Sequence, residues 1–543
     1  MSKPASFCTV CTSTCSHELV GLLLSLSLYH PNEKIYIMSD TKTKNTIENI
    51  TPKPLLDIQW FVELDEYNGL NRFEMEKKGI FGNFLTNKMI IINYALDYYT
   101  DTLFIDSDII ITDTINNINI EKDVGLSPQY IKQPYIDNTG FYNAGFFWTK
   151  HKHISNNWKL LIDYNNHCPE QINMKELEKY NYFIFEENYN IQAWRMLLSD
   201  ESPDKIGSYF SLKNNIIFYK NNPLKCIHTH FLDKRFNMFN NLIINILKTK
   251  KDYRLLLIIY RVIHNKWILK VPKQPIQGLG YHKNDSYREL PLLMKINNND
   301  VELQFINNSI HCWIEPNVLT YDRPTLEWLN NDCNQSSLLL LGNGSVDNEG
   351  KQIIQKIPST NVKPWIFWPR KPMLVEKILK TNNILSYNER IIESVFIGNI
   401  ENNVQNIFRN DLSWKNVISE YICTKGTKHI FSHEEYLHKI SKAKYGLCLR
   451  GYGSKCHREI ELMAFGTVPI ITPDVCIDSY LDPPIENIHY IRIKNANEYN
   501  NIISNISCDE WKKMSNACID WYNKNVHSKN CWNNMINYLL YET

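Results

Sequence analysis

The 543-residue chain predicts an α/β fold built as two doubly wound regions in series, since one such domain needs far fewer residues. Three observations carry this expectation. Short apolar runs alternate with amphipathic helical stretches near the N-terminal end, a pair of carboxylates follows one of those runs, and the alternation returns beyond residue 300 around a glycine-rich basic loop.

Taken in order, Phe7 to Thr12 reads as a first strand, Glu18 to Tyr29 as an apolar-faced helix, and Lys34 to Met38 as a second strand ending at Ser39 and Asp40. Phe84 to Tyr99 is a further amphipathic helix. It runs into a buried strand over Leu103 to Ile105, with Ile109 to Ile111 read as that strand's continuation. Asp106 and Asp108 then sit where the sheet opens. Two carboxylates at that place can share one hard divalent cation, Mn2+ or Mg2+, which also takes substrate phosphates when the leaving group is a nucleoside diphosphate. A lone Asp-x-Asp is common in surface turns, so the surrounding β-α-β alternation gives the pair its weight.

Further on come Gly140-Phe-Tyr-Asn-Ala-Gly145 and Ile227-His-Thr-His-Phe231. At these residues the chain resembles the GT-A glycosyltransferases, especially the families related to glycogenin and the bacterial lipopolysaccharide galactosyltransferases. The resemblance implies Asp106 and Asp108 as metal ligands, Asp108 the more direct, with His230 or His228 as the third. It implies Lys88 facing the donor's phosphates and Asn143 and Gly145 lining the sugar pocket, the glycine because backbone must approach the ligand closely. The stretch Glu186 to Gln192 falls where the family has an Asp-Gln pair, and departs from it. Glu187, Asn188 and Gln192 are therefore the candidates for the acceptor side or for stabilising the reacting centre. Leu232 to Phe236 replaces the family's Lys-Pro-Trp, which makes Lys234 and Arg235 the substitutes for its basic residue.

The N-terminal domain is expected over residues 1–240. Asn240 to Lys270 is helical in period, and Pro272, Pro275, Gly278 and Gly280 break it, so 241–285 is read as a helical linker and 286–543 as the second domain. Strand-like runs follow at Val301 to Ile306, Ser337 to Leu341, Pro364 to Trp368, Ser394 to Ile397, Tyr445 to Leu449 and Val468 to Thr472, with helices at Glu434 to Lys442 and Cys456 to Phe465. Between the last two strands, a loop with Gly451 and Gly453 opens a helix, and Arg450, Lys455 and Arg458 supply the charge that a metal-free anion site needs. Here the chain resembles the exostosin-like glycosyltransferases of GT-B fold, matching at Arg450, Gly451, Arg458, Glu461, Gly466 and Pro469. The resemblance makes Glu461 the carboxylate for ribose hydroxyls. His311, Glu315 and Asp322 lie where an acceptor-side base could be found, although a structural histidine is the plainer reading of His311.

A net charge of +1 gives no support to nucleic acid as a ligand. Thirteen tryptophans and thirty-one tyrosines suit carbohydrate surfaces, and core packing explains them as well. Fourteen scattered cysteines without a secretory leader, and an apolar run at Val20 to Leu28 too short to span a bilayer, lead to the expectation of a cytoplasmic protein with reduced thiols and no membrane span. Abundant Asn, Ile, Lys and Tyr suggest an AT-rich genome such as that of a large DNA virus or a protist, and in the viral case the site would be host cytoplasm. Cys8, Cys11 and Cys15 have metal-like spacing but no second pair, which argues against zinc. The expected protein is a bifunctional glycosyltransferase using nucleotide-sugar donors, UDP-linked for the first domain, and a glycan or glycoprotein acceptor. Two alternatives stand beside it: a single-activity enzyme whose C-terminal unit binds glycan or nucleotide without catalysis, and a sugar nucleotidyltransferase, whose glycine-rich Arg-Lys signature is missing from Thr9 to Ser16.

Overall fold

A computed structural model describes residues 2–542 apart from 215, 251, 273–285, 307–311, 315–317, 322–337, 342–361, 365–367, 402, 426–429, 452–455, 479 and 481. The chain divides into two compact units, Met1–Lys266 with Leu539–Thr543, and Trp267–Tyr538. Both are α/β.

Apolar runs buried on both faces build the first sheet, as parallel strands require. Its strands are β1 (Phe7–Cys11), β2 (Lys34–Ser39), β3 (Asp57–Val62), β4 (Thr102–Ile105), β6 (Val124–Pro128), β7 (Tyr142–Thr149) and β8 (Tyr182–Ile184), with β5 (Ile109–Ile111) lying outside it. The order is β3-β2-β1-β4-β7-β6-β8. The first four are parallel neighbours, while β7 runs antiparallel to both β4 and β6. The strand expected to continue through Ile109 to Ile111 therefore breaks at the carboxylates. The Ile109 amide donates to the Asp106 carbonyl at 3.2 Å, a turn that carries the chain off the sheet. Beyond β9 (Ile191–Gln192) and the short strands β10 (Phe210–Lys213), β11 (Ile216–Tyr219) and β12 (Asn222–Pro223), the chain reaches β13 (Cys226–His228). There β5, β13 and β9 form a separate three-stranded sheet, with His228 opposite both Ile109 and Gln192.

The helix Ser16–Tyr29 covers one face of this sheet, and at Gly21 a Cβ would lie 2.6 Å from Val262 Cγ2 and 2.8 Å from Ile110 Cδ1. Val262 belongs to the helix Tyr253–His264, so the helical stretch read as a linker packs into the first unit, which extends to Lys266. The helical expectation overreaches at its end, since Trp267 onward is strand. The helix expected over Phe84 to Tyr99 is two, Phe81–Leu85 and Asn87–Ala95.

The second unit holds two sheets. The first contains β14 (Trp267–Pro272), β15 (Val301–Ile306), β16 (Cys312–Ile314), β17 (Val318–Tyr321), β18 (Leu338–Leu341) and β19 (Val362–Pro364), in the order β15-β14-β16-β17-β18-β19. The second contains β20 (Ile392–Asn399), β21 (Glu420–Thr424), β22 (Ala443–Cys448), β23 (Val468–Ile471) and β24 (Ile491–Arg492). Its order is β21-β20-β22-β23-β24 and every pairing is parallel. The winding direction thus reverses between β20 and β22, the place where open α/β sheets leave a ligand crevice at their strand ends. The last helix returns to the first sheet, with the Trp532 ring 6.4 Å from Trp267 and Ser528 Oγ accepting from Asn297 Nδ2 at 2.7 Å.

Candidate active site

Two sheets meet at Asp106 and Asp108. The Asp106 amide donates to the Gly145 carbonyl on β7 at 2.8 Å, and the Asp108 carbonyl accepts from the Thr229 amide at 3.2 Å just past β13. This brings His228 and His230 to opposite oxygens of one carboxylate. His228 Nε2 lies 3.0 Å from Asp108 Oδ1, and His230 Nδ1 lies 3.0 Å from Asp108 Oδ2. Against the upward push of burial, the two imidazoles hold the Asp108 carboxyl well below the usual carboxylate range. Burial acts to lower His230, but Asp108 holds it up at about 10.

Asp106, Asp108 and His228 each offer a ligand atom within 4.8 Å of the others, and among the described residues they form the one such group of three or more that could hold a metal ion. Whether a cation suits them is decided by chemistry and space. Asp108 Oδ1 is buried and makes no aligned hydrogen bond despite its neighbour at 3.0 Å. Neighbouring ligands of an octahedral cation with bonds near 2.1 Å stand about 3 Å apart, and two carboxylates with one imidazole suit Mn2+. The donor set fits. His230, nearer to solvent, has Asp108 and, at 4.0 Å, Glu18 as its carboxylate partners among the described residues.

Lys88 rises from the helix Asn87–Ala95 beneath the pair, with Nζ 2.9 Å from Asp106 Oδ1 and 3.5 Å from Glu170 Oε1. Burial works to deprotonate it, and the two carboxylates raise it instead. Gly145 is necessary for a reason the structure makes specific. A Cβ there would fall 2.3 Å from Asp106 Oδ2 and 2.7 Å from His228 Cε1, so the backbone gives way to a carboxylate of the candidate cluster. Asn143 Oδ1 accepts from the Gly145 amide at 3.2 Å and from Asn190 Nδ2 at 3.0 Å.

Of the residues expected near the reacting centre, Gln192 is brought alongside. It is fully buried, faces His228 across the strand pair, donates to the Pro128 carbonyl at 3.2 Å and leaves Oε1 without a partner. Glu187 and Asn188 are not brought to the pair. Glu187 binds Arg195 at 3.0 Å and Lys220 at 2.6 Å, and Asn188 Nδ2 donates to the Pro223 carbonyl at 2.7 Å, toward the other end of β13. Arg235 is exposed and paired with Asp233 at 2.6 Å, while Lys234 begins the same short turn. Sequence reasoning passed over Asn190, Glu170 and Gln171, whose Oε1 accepts from the Ala144 amide at 3.2 Å. It also passed over Trp194, whose ring lies edge-on to His228 at 4.7 Å and stacks on His230 at 6.1 Å. Only Asn190, inside the already suspect stretch, had any local signal.

In the second unit, the crevice between β20 and β22 gathers three arginines. Arg409, which nothing in the sequence singled out, donates to the Asn399 carbonyl at 3.0 Å, the Arg450 carbonyl at 2.9 Å and Cys456 Sγ at 3.3 Å, tying the exits of both strands together. Arg458 lies over the Phe396 ring and donates to the Ile397 carbonyl at 2.6 Å, and its Nε and Nη1 have no partner among the described residues. Arg450 stacks on Phe408 with its Nε unpartnered. At Gly451 a Cβ would fall 2.6 Å from Arg409 Nη2, so that glycine makes room for a side chain of the protein itself. Glu461 is buried, accepts from the Arg370 amide at 3.0 Å and has His433 Nε2 at 3.4 Å. Against burial, that histidine holds its carboxyl down at about 2. Gly453, Lys455, His311, Glu315 and Asp322 lie outside the described residues.

No helix among the described residues is long and apolar enough to cross a membrane. No protein-family model matches the chain, and no curated protein matches it. Among solved structures, it is similar to the bifunctional glycosyltransferase WbbM in its apo form, at TM-score 0.29 and 10% identity over 45% of this chain and 50% of that one. The chain thus spans about half the length of that enzyme. It is similar also to mouse xyloside xylosyltransferase 1, at TM-score 0.27 and 10% identity over 42% of this chain and 98% of that one. A third is the glycosyltransferase GlyE of Streptococcus pneumoniae TIGR4, at TM-score 0.29 and 10% identity over 93% of this chain and 98% of that one. Scores of this size carry no argument about the reaction, which rests on the site's own geometry.

Proposed function

We propose that the protein is a glycosyltransferase whose first unit transfers sugar from a nucleoside-diphosphate donor in a metal-dependent reaction. The observation that carries this reading is the cluster of Asp106, Asp108 and His228 at the strand end, with Lys88 beneath it. Asp106, Asp108 and His228 would hold Mn2+ or Mg2+, with His230 as the further candidate. When bound, such an ion neutralises charge on the leaving diphosphate. Lys88 would bind a donor phosphate as a compact point charge. Asn143 and Gly145 would line the sugar pocket, and the unpartnered Gln192 Oε1 would accept from a sugar hydroxyl or face the positive charge developing at the anomeric carbon. The oxygen of an acceptor hydroxyl would attack that carbon while the carbon's bond to the diphosphate breaks, the hydroxyl proton passing to the departing diphosphate. Glu187 and Asn188 remain acceptor-side candidates.

A second, metal-independent donor site is proposed in the crevice between β20 and β22. Support comes from the reversal of winding there and from the unpartnered nitrogens of Arg450 and Arg458. Lys455 belongs to the same proposal. Glu461 would take the ribose hydroxyls only by exchanging its contact with Arg370 or His433 for them.

Release of nucleoside diphosphate from a panel of sugar nucleotides, with and without Mn2+, tests both sites. Turnover that needs Mn2+ and vanishes in Asp108→Ala supports the first. Turnover that persists without Mn2+ and vanishes in Arg458→Ala supports the second. Mn2+-dependent turnover unchanged in Asp108→Ala would overturn the metal assignment.

A further inference from the structure

The Lys88 ammonium stands between two carboxylates, and only Asp106 belongs to the metal-ligand cluster. Lys88 is 7% exposed, and the Glu170 side chain is 12% exposed. Glu170 sits on the segment between the helix Lys152–Leu160 and the turn Met174–Lys179, and this segment is bonded to that helix and to β7. The Glu170 carbonyl accepts from Trp158 Nε1 at 2.6 Å, and the next residue, Gln171, accepts from the Ala144 amide at 3.2 Å.

A lysine charge 2.9 Å from Asp106 competes with a divalent cation for the same carboxylate. Were Asp106 its only counter-charge, cation binding would leave a buried ammonium unpaired beside a doubly charged ion, which is strongly unfavourable. Glu170 removes that conflict. Resting on the metal reading above, we propose that Glu170 is a positioning residue acting through Lys88: it keeps the ammonium paired when Asp106 turns to the cation. It thereby sets the site's affinity for divalent metal and holds Lys88 where a donor phosphate can reach it.

The experiment is Mn2+ binding to the full chain without donor, followed by electron paramagnetic resonance of free Mn2+, for wild type, Glu170→Gln, Lys88→Met and the double variant. A double-mutant cycle separates action through Lys88 from the plain loss of a negative charge. Glu170→Gln is expected to weaken Mn2+ binding about tenfold on its own and less than about twofold in the Lys88→Met background. An equal loss in both backgrounds, or no loss in the single variant, overturns the proposal while leaving the metal site standing. Absence of Mn2+ binding by folded wild type overturns the metal reading and this inference with it. Should Lys88→Met lose its fold by circular dichroism, Lys88→Gln completes the same cycle.

Discussion

Replacing Gly145 with alanine adds one methyl group at the point where the metal site has least room. The new Cβ would stand 2.3 Å from Asp106 Oδ2 and 2.7 Å from His228 Cε1. Relief to an ordinary contact near 3.5 Å needs the carboxylate to retreat by about 1 Å. Asp106 cannot do so freely, because Lys88 holds its other oxygen at 2.9 Å and its amide is bonded to the Gly145 carbonyl. Metal sites tolerate displacements of about 0.2 Å, so a shift several times larger amounts to weakening one ligand. Overpacking of this kind costs about 1–3 kcal/mol, which a folded unit withstands. The expected result for Gly145→Ala is a folded protein with modestly lowered stability in urea and an Mn2+ dissociation constant raised about 10- to 100-fold, as when a ligand's support is lost. Mn2+ titration and diphosphate release should fall together. Wild-type Mn2+ affinity in a folded Gly145→Ala variant would refute the reasoning, since Asp106 would then not be a ligand.

Three further outcomes follow from the second unit. Glu459 is fully buried, and burial raises its carboxyl to about 7 from an ordinary 4.5, so the folded state holds a proton that the unfolded state has released. The stability this group contributes is complete below about pH 4.5 and is lost as pH rises through about 7, an effect of up to about 3 kcal/mol. Glu459→Gln, which can still accept from the Cys456 amide, should therefore gain stability in urea melts at pH 8 and little at pH 4.5. Gly451→Ala should drive Arg409 from its carbonyl partners and lower the melting temperature, whereas the same substitution at the open, positive-φ Gly69 disturbs only backbone. Arg390 donates to the carbonyls of Leu385, Ser441, Ala443 and Phe465 and to Thr467 Oγ1, so Arg390→Met, by leaving buried acceptors unsatisfied, should cost at least about 3 kcal/mol in denaturant titration.

The parts legible in the sequence are those whose signal is local. Runs such as Phe7–Cys11 and Val468–Ile471 are apolar on both faces because parallel strands are buried on both, and the strand-end carboxylates follow another such run, Thr102–Ile105. What depends on pairing between distant segments was not legible. Ile109–Ile111 is as apolar as Leu103–Ile105, so nothing local reveals that the first joins His228 in another sheet. The split of the Phe84 to Tyr99 helix turns on Thr86, an unremarkable residue, and Trp267 becomes strand by pairing with Val301. Glu170 lies in a polar loop and matters only because Lys88, eighty-two positions earlier, reaches it.

Gly145 and Gly451, both singled out in the sequence, pack against side chains of the protein itself. The sequence reading gives Gly145 a close approach of backbone to a ligand, and Gly451 a place in a loop that opens a helix N-terminus toward an anion. In the structure the space above each is already occupied by the protein. At Gly145 it holds Asp106 and His228, two groups of the metal cluster, so the glycine serves the ligand through the side chains that would bind it. At Gly451 it holds the Arg409 guanidinium, which is bonded to the carbonyls of Asn399 and Arg450 and to Cys456 Sγ. Arg409 is thus engaged by protein partners, which leaves the proposed anion site to Arg450 and Arg458. Substitution of Arg409 should therefore loosen the fold around the crevice, and substitution of Arg458, which also gives up its bond to the Ile397 carbonyl, should weaken anion binding by more than its loss of stability explains. The contrast between those two variants distinguishes a built anion site from a packed α/β turn.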